Sequence, residues 1–155
     1  TLKSAYHEID LPFVAVTRED LLARKEIKDV FEERRTSALL DELQRNGRVR
    51  ESYPYPIQTL RLGDTLSLVF LGGEVVIDYA LRLKRELGPS STWIAGYSND
   101  VMAYIPSDRV RTEGGYEGTD AMRYTNLPGP WQPGLEERIV AEVLKQRSAE
   151  RPEQR

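Results

Sequence analysis

The chain carries the segment TLSLVFLGGEVVIDYALRLKRELGPSSTWIA at residues 65–95, and this stretch decides the fold. Residues 65–71 are almost all apolar, which predicts a central strand covered on both faces. After Gly72-Gly73, apolar residues recur at helical spacing and Gly88-Pro89 ends the pattern, which predicts a helix. Thr92–Ala95 predicts a second buried strand. A strand, a helix and a strand at this spacing indicate a right-handed crossover between parallel strands.

The sequence upstream of this segment predicts two further strands. Residues 57–62 alternate apolar and polar side chains, and Pro54 and Pro56 before them disfavour helix. Gly63-Asp64 then predicts a tight hairpin into the apolar strand. Residues 3–13 contain a short alternating piece that favours an edge strand. The predicted fold class is therefore mixed α/β: a mixed sheet with a β-hairpin and a βαβ crossover, and helices packed on that sheet.

Helix start and stop residues outline the rest of the chain. Thr17, with an acidic residue three positions later, predicts a helix start. A second helix is predicted over residues 27–45, ended by Asn46-Gly47, and a last one begins at Pro133. Residues 96–133 are rich in glycine and proline, which predicts one long loop. We expect a single domain over residues 1–147 and a disordered tail over residues 148–155.

Composition excludes several classes of function. The chain of 155 residues has a net charge of −3 and a pI near 5.4, so no electrostatic footprint for nucleic acid is present. It contains no cysteine, which excludes disulfides and thiolate metal sites. It begins at Thr1 without a methionine and runs directly into strand-like sequence. From this we expect the C-terminal portion of a larger α/β domain.

Three polar residues are candidates for a site on this scaffold. Glu74 follows a buried strand, at the carboxyl end where open α/β sheets bind their ligands. Tyr104 and Tyr116 lie in the predicted loop. From the residues alone, the favoured interpretation of Glu74 is a first-turn carboxylate that complements the helix dipole, and that of the two tyrosines is packing. His7, the single histidine, is interpreted as a surface or core residue rather than a ligand.

The joint spacing of four short segments resembles the neutral ceramidase family, the zinc-dependent amidases that cleave the N-acyl bond of ceramide. These segments are Gly73-Glu74, residues 96–99 (Gly-Tyr-Ser-Asn), Tyr104 five residues later, and Tyr116-Glu117 twelve residues after that. The resemblance covers about residues 60–124. More broadly, the whole chain is similar to bacterial ceramidase-like proteins of unassigned substrate.

The resemblance implies a function for each matched residue. Glu74 and Tyr104 would be zinc ligands, and the hydroxyl of Tyr116 would act in catalysis by donating to the reacting carbonyl. Two histidine ligands would come from the upstream half of the same polypeptide, and the substrate would be a lipid-like N-acyl compound. The isolated chain, with two oxygen ligands, is expected to hold no zinc and to be inactive. The parent protein would be secreted or periplasmic.

Some positions depart from the family pattern, so alternatives stay open. Residues 75–78 and 80–82 replace the family's Thr-Thr and Gly-Arg-Arg, and Gly114-Gly115 replaces its Gln-Arg. The chain could instead be an interaction module in which Glu74 is only a helix cap. It could also be a metal-free scaffold, or a small-ligand domain that uses residues 99–118. We also expect the chain to self-associate through an exposed strand edge or an apolar patch.

Overall fold

The protein is a mixed α/β structure, and a computed structural model describes its residues 1–149. The elements in chain order are β1 (Leu2–Pro12), α1 (Arg18–Arg24), α2 (Val30–Asn46), β2 (Ser52–Leu62), β3 (Leu66–Leu71), β4 (Glu74–Val75), α3 (Ile77–Leu87), β5 (Thr92–Ala95), β6 (Tyr104–Ile105), α4 (Asp108–Glu113), α5 (Gly115–Gly118), a 3₁₀ turn (Asp120–Tyr124) and α6 (Leu135–Ala149).

Within residues 1–149, the longer strands form a sheet in the order β1-β2-β3-β5. β1 pairs antiparallel with β2, and β2 pairs antiparallel with β3 across the turn at Gly63. β3 then pairs parallel with β5 after the α3 crossover. These pairings confirm the predicted mixed sheet, its hairpin, its βαβ unit and the edge position of β1.

Two prolines lie inside β2 without disrupting the sheet. Pro54 pairs with Asp10 and Pro56 with Glu8 on β1, whereas β3 pairs with β2 only from Ile57 onward. The prolines therefore lie where β2 has a single strand neighbour, and a missing N–H is tolerated at such an edge.

The hydrophobic core lies on one face of the sheet. Helices α3 and α6 pack there, and the buried side chains include Leu11, Ile57 and Val69 from the strands with Leu83 and Ile139 from the helices. Burial of this continuous apolar layer is the main stabilising contribution to such a fold.

The opposite sheet face is open, and the prediction that β3 is covered on both faces is wrong for the described chain. Leu68 and Phe70 on β3 are half-buried, and their neighbour Trp93 on β5 is 66% exposed. An apolar run specifies that a strand lies in a sheet interior, but it does not specify what covers each face.

Helix boundaries follow local capping chemistry. At the start of α1, the predicted Thr17 cap and Asp20 bond reciprocally. α2 begins at Val30 rather than at Ile27, because the Asp29 carboxylate accepts hydrogen bonds from the amides of Phe31 and Glu32 at 2.9 Å. Gly47, with φ +71°, ends α2 as predicted.

Two parts of the chain are more ordered than the sequence indicated. Residues 96–133 are not a loop throughout, because they include β6, α4, α5 and the 3₁₀ turn. α6 continues to Ala149, so Ser148 and Ala149 are helical, and the rest of the predicted tail, residues 150–155, lies outside the described residues. Among the described helices, none combines the length and the apolar character needed to cross a bilayer.

Candidate functional site

Glu74 lies in a strand and not in a helix. It is the first residue of β4, and α3 begins three residues later with Val76 as its cap, which makes no side-chain capping bond. The interpretation of Glu74 as a first-turn helix residue is therefore wrong. The Glu74 carboxylate therefore does not cap α3, and it can instead act as a ligand or a hydrogen-bond acceptor.

A close approach of two backbone segments sets the direction of Glu74. The Glu74 amide donates to the carbonyl of Ala103 at 2.9 Å, and Glu74 is the register partner of Tyr104 in the parallel β4–β6 pair. Gly73 permits this approach: its φ is +67°, and a Cβ there would lie 2.6 Å from the Ala103 oxygen. Because register partners project to the same side, the Glu74 and Tyr104 side chains lie next to each other.

Two phenol groups converge on the Glu74 carboxylate. Hydrogen bonding to the Glu74 carboxylate, together with partial burial and the charge of Glu74, raises the pKa of Tyr104 to about 12. The Tyr97 hydroxyl interacts in the same way, and its pKa is also raised, chiefly by the Glu74 hydrogen bond. Both phenols therefore keep their protons at neutral pH.

Tyr116 joins this group from a different element. It lies on α5, and its ring meets the Tyr104 ring edge-on with centroids 5.3 Å apart. Gly114 and Gly115 before it have φ values of +75° and +74°, which explains why glycines stand here. The structure thus brings together all three predicted residues, Glu74, Tyr104 and Tyr116, although their distances in sequence are 30 and 12 residues.

An apolar cavity of about 160 Å³ opens beside these side chains. Its lining residues come from β4, β6 and the turn before β6, from α5, and from the 3₁₀ turn and the residue after it: Glu74, Val101, Met102, Ala103, Tyr104, Tyr116, Ala121, Tyr124 and Thr125. Tyr124 extends the aromatic wall to Phe31, whose ring it meets edge-on at 4.8 Å. The cavity lining therefore combines one carboxylate and three tyrosine rings with the apolar side chains of Val101, Met102, Ala103 and Ala121.

A polar network fixes α4, which supports α5. The Ser107 hydroxyl donates to Asp78 on α3 and accepts from the amide of Val110, so that it caps α4. Arg109 pairs with Asp78 at 3.0 Å, and hydrogen bonding from Arg109 holds the pKa of Asp78 below its usual value. α4 and α5 pack together directly. Through this contact, the network positions the helix that carries Tyr116.

Other polar features of the described chain are structural. His7 interacts through Nδ1 with Glu142 on α6 at 3.1 Å, which agrees with its interpretation as a structural residue. A larger cavity, of about 540 Å³, lies between α2 and β2, but its carboxylate Glu42 is held by the Arg50 guanidinium at 2.7 Å. Within residues 1–149, no group of three or more histidine, aspartate or glutamate side chains is placed to hold a metal.

Two tyrosines at or near this site, Tyr97 and Tyr53, were not identified from the sequence. Tyr97 belongs to the Gly-Tyr-Ser-Asn segment at residues 96–99, but the resemblance assigns no function to it. Tyr53, from β2, donates to the Asp100 carboxylate, and burial together with this bond raises the pKa of Tyr53 to about 12. The Tyr97 position had a usable indication, since a tyrosine directly after the glycine that ends a buried strand lies at the ligand-binding edge of the sheet. The Tyr53–Asp100 contact joins residues that are 47 apart in the sequence, and no sequence pattern indicated it.

Comparisons with known proteins give one structural similarity. No family model and no curated protein matches the chain. Among solved structures, it is similar to one described as "Ceramidase complexed with C2", with a TM-score of 0.49 and 16% sequence identity. The match covers 96% of this chain and 30% of that chain. A similarity of this size establishes neither a shared family nor a shared activity.

Proposed function

We propose that this chain forms the catalytic corner of a zinc-dependent amidohydrolase that resembles neutral ceramidases and cleaves the N-acyl bond of a ceramide-like lipid. Glu74 and Tyr104 are the zinc ligands that the chain contributes, and Tyr116 is the catalytic hydroxyl. Two histidines from an upstream region of the same polypeptide complete the site, so the isolated chain is inactive.

One observation carries this proposal: Glu74 and Tyr104 are register partners in the β4–β6 pair, and both line an apolar cavity together with Tyr116. A helix cap or a packing cluster would not need a carboxylate in a two-residue strand. Such a carboxylate, facing two phenols at the end of a sheet, suits a site that handles a developing charge.

The described side chains supply some of the donors that a zinc site needs, but not all of them. Zinc in proteins binds histidine nitrogens and carboxylate oxygens, and a catalytic site also keeps a position for water or substrate. Here, the described residues supply one carboxylate and neighbouring phenols, and His7 is held elsewhere by Glu142. The set therefore matches the oxygen half of a mixed nitrogen and oxygen site, which agrees with ligands supplied from outside this chain.

When bound, zinc supplies Lewis-acid polarisation of the scissile carbonyl and makes water nucleophilic near neutral pH. Glu74 offers an anionic oxygen to the metal. The Tyr104 hydroxyl would offer a second oxygen donor, since Tyr104 is the register partner of Glu74 in the β4–β6 pair. Tyr116 keeps its hydroxyl for the substrate and donates to the carbonyl oxygen as negative charge develops there.

The apolar cavity supports a lipid-like substrate rather than a polar one. Its walls include Val101, Met102, Ala121 and Tyr124, and its one charged group is the Glu74 carboxylate. An amide whose carbonyl faces Tyr116 would direct its hydrocarbon portion along these side chains. Burial of hydrocarbon at such walls contributes roughly 0.8 kcal/mol per methylene.

Zinc content and amidase turnover of variants in the longer polypeptide test the proposal. Glu74→Gln removes an anionic ligand, so zinc occupancy should fall along with hydrolysis of an N-acyl lipid. Tyr116→Phe should leave zinc bound while turnover drops by about 10²–10³, since that hydroxyl acts on the transition state. Full zinc occupancy and full turnover in Glu74→Gln would show that Glu74 is not a zinc ligand and that the proposed site is wrong.

A further inference from the structure

The turn that leads from β5 towards β6 is held at one residue, Asp100. Its backbone carbonyl accepts a hydrogen bond from the Gly73 amide at 2.8 Å. One oxygen of its carboxylate accepts from the Tyr53 hydroxyl of β2 at 2.5 Å, and the other accepts from the Val101 amide at 2.7 Å. Asp100 therefore joins β2, the residue directly before Glu74, and the segment that follows the turn.

That following segment, residues 101–103, forms one wall of the apolar cavity. No helix or strand is present within these three residues. Met102 and Ala103 pack against the core, whereas Val101 is 59% exposed. At the far end of the wall, the Ala103 carbonyl accepts from the Glu74 amide at 2.9 Å. At the near end, the position of the wall depends on the bonds of Asp100.

The backbone of the turn is one that the surrounding structure has to hold. Tyr97 has a φ of +53° and Asn99 has a φ of +67°, values that residues with a side chain seldom adopt. Such conformations persist where contacts from outside hold them, and they cluster at functional sites. Tyr53 supplies such a contact from β2, a strand that pairs with β1 along its whole length.

We propose that Tyr53 and Asp100 are a positioning pair whose hydrogen bond holds residues 101–103 in place as the cavity wall and so sets the affinity for the hydrocarbon part of the substrate. This inference rests on the proposed function, in which the cavity takes a lipid-like amide. The residues that line the cavity include neither member of the pair. The pair acts on the substrate through Val101, while the hydroxyl of Tyr116 is not part of this network.

The Tyr53→Phe variant of the longer polypeptide removes the hydroxyl and keeps the ring. When a binding-competent conformation is only partly populated, the apparent affinity falls by the populated fraction. We expect the KM for a ceramide with a hexanoyl chain to rise about tenfold, at the lower end of the effect of losing a hydrogen bond to a charged group. The kcat should not change, because bound substrate restores the wall. A lower kcat with an unchanged KM would indicate a loss of folded protein and would overturn the positioning role.

Variants of Asp100 test whether the two residues act as a pair. In Asp100→Asn, the side-chain oxygen can still accept from the Val101 amide, and the NH₂ group can donate to the Tyr53 oxygen. This variant should therefore keep a KM close to that of the parent, whereas Asp100→Ala should raise the KM at least as much as Tyr53→Phe does. The double variant should be no worse than Asp100→Ala, because both changes remove the same interaction. Additive effects on KM would contradict a pair.

Hydrogen exchange in the 155-residue chain gives a measurement that does not depend on activity. In Tyr53→Phe, the amides of residues 101–103 should exchange about tenfold faster, because the turn opens locally more often. Tyr6→Phe is the matched control: the Tyr6 hydroxyl donates to the Glu8 carboxylate at 2.7 Å, but Tyr6 lies on β1 and does not line the cavity. The control should change neither exchange nor KM. Equal effects of the two variants would show that the wall does not depend on Tyr53.

The outcomes separate this inference from the function that it deepens. If Glu74→Gln lowers zinc occupancy and turnover but Tyr53→Phe leaves the KM unchanged, the inference alone fails. If Glu74→Gln keeps full zinc occupancy and turnover, the proposed function fails. In that case the exchange rates still decide whether Tyr53 holds the wall: faster exchange in Tyr53→Phe alone supports the pair, and unchanged exchange overturns it.

Discussion

Replacement of Gly73 by alanine should destabilise the protein, because the substitution has two separate free-energy costs, one from the backbone conformation and one from a steric clash. Its φ of +67° is left-handed, which costs a residue with a Cβ about 1–2 kcal/mol. The new Cβ would also lie 2.6 Å from the Ala103 oxygen and 2.8 Å from Cγ1 of Ile105. Forced overpacking of this kind costs about 1–3 kcal/mol. The sum is a loss of about 2–5 kcal/mol in the free energy of unfolding.

The clash cannot relax easily, since the nearest atom belongs to the backbone. The Ala103 carbonyl accepts the Glu74 amide at 2.9 Å, so its displacement would separate β4 from β6 and part Glu74 from Tyr104. A substitution at Gly73 that destabilises the protein would therefore also separate two residues of the site, Glu74 and Tyr104. In the longer polypeptide, Gly73→Ala should therefore also weaken zinc binding.

Gly63→Ala is the matched control for the backbone cost alone. Gly63 has a φ of +58°, but no atom lies within 4 Å of its added Cβ. We expect it to lose only about 1–2 kcal/mol. Any gain from restricting the unfolded chain is the same for both variants and cancels in their difference.

Urea unfolding of the 155-residue chain, followed by circular dichroism, measures both variants against the parent sequence. For a chain of this length, each kcal/mol corresponds to about 2–4 °C in melting temperature, so thermal unfolding gives a second measurement. A Gly73→Ala variant that is no less stable than Gly63→Ala would refute the close approach between β4 and β6.

Further predictions concern the metal, the surface and pH. In the longer polypeptide, Tyr104→Phe should lower zinc occupancy, while the isolated chain should bind zinc no better than about millimolar, as measured by calorimetry. The chain should self-associate through the open sheet face at high concentration, and Trp93→Lys should keep it monomeric in light scattering. Above pH 10, the unfolded chain loses phenol protons that folded Tyr53 and Tyr104 retain up to about pH 12, so stability should fall across that range. Tyr53→Phe should reduce this slope in denaturation experiments.

Local features of the fold were predictable because their causes lie close together in the sequence. The Thr17 cap needs only Asp20, and the stop at Gly47 needs only a residue that accepts a left-handed backbone. In the same way, the β2–β3 hairpin and the α3 crossover follow from residue periods and turn chemistry within residues 57–95. The sequence also placed Glu74, Tyr104 and Tyr116 in one group, but through resemblance and spacing rather than through physics.

The details of the site could not be predicted from local chemistry. Sequence reasoning favoured a helical Glu74, because a glutamate shortly before a helical pattern suits the dipole of that helix. Instead, the residue forms a strand with Tyr104, and that pairing depends on a close backbone contact at Gly73 with a segment 30 residues away. The Tyr97 contact depends in turn on a left-handed backbone that long-range hydrogen bonds hold in place.

By itself, the sequence determined the fold class, the β2–β3 hairpin, the β3–α3–β5 crossover and the helix ends at Thr17, Gly47 and Gly88, because hydrophobic period and capping act over a few residues. Only the tertiary structure decided which sheet face α3 and α6 cover, and it alone left Leu68, Phe70 and Trp93 on the open face. It also decided that Glu74 and Tyr104 are register partners in the β4–β6 pair. Those outcomes depend on contacts between distant segments, whose geometry is fixed only when the whole core packs.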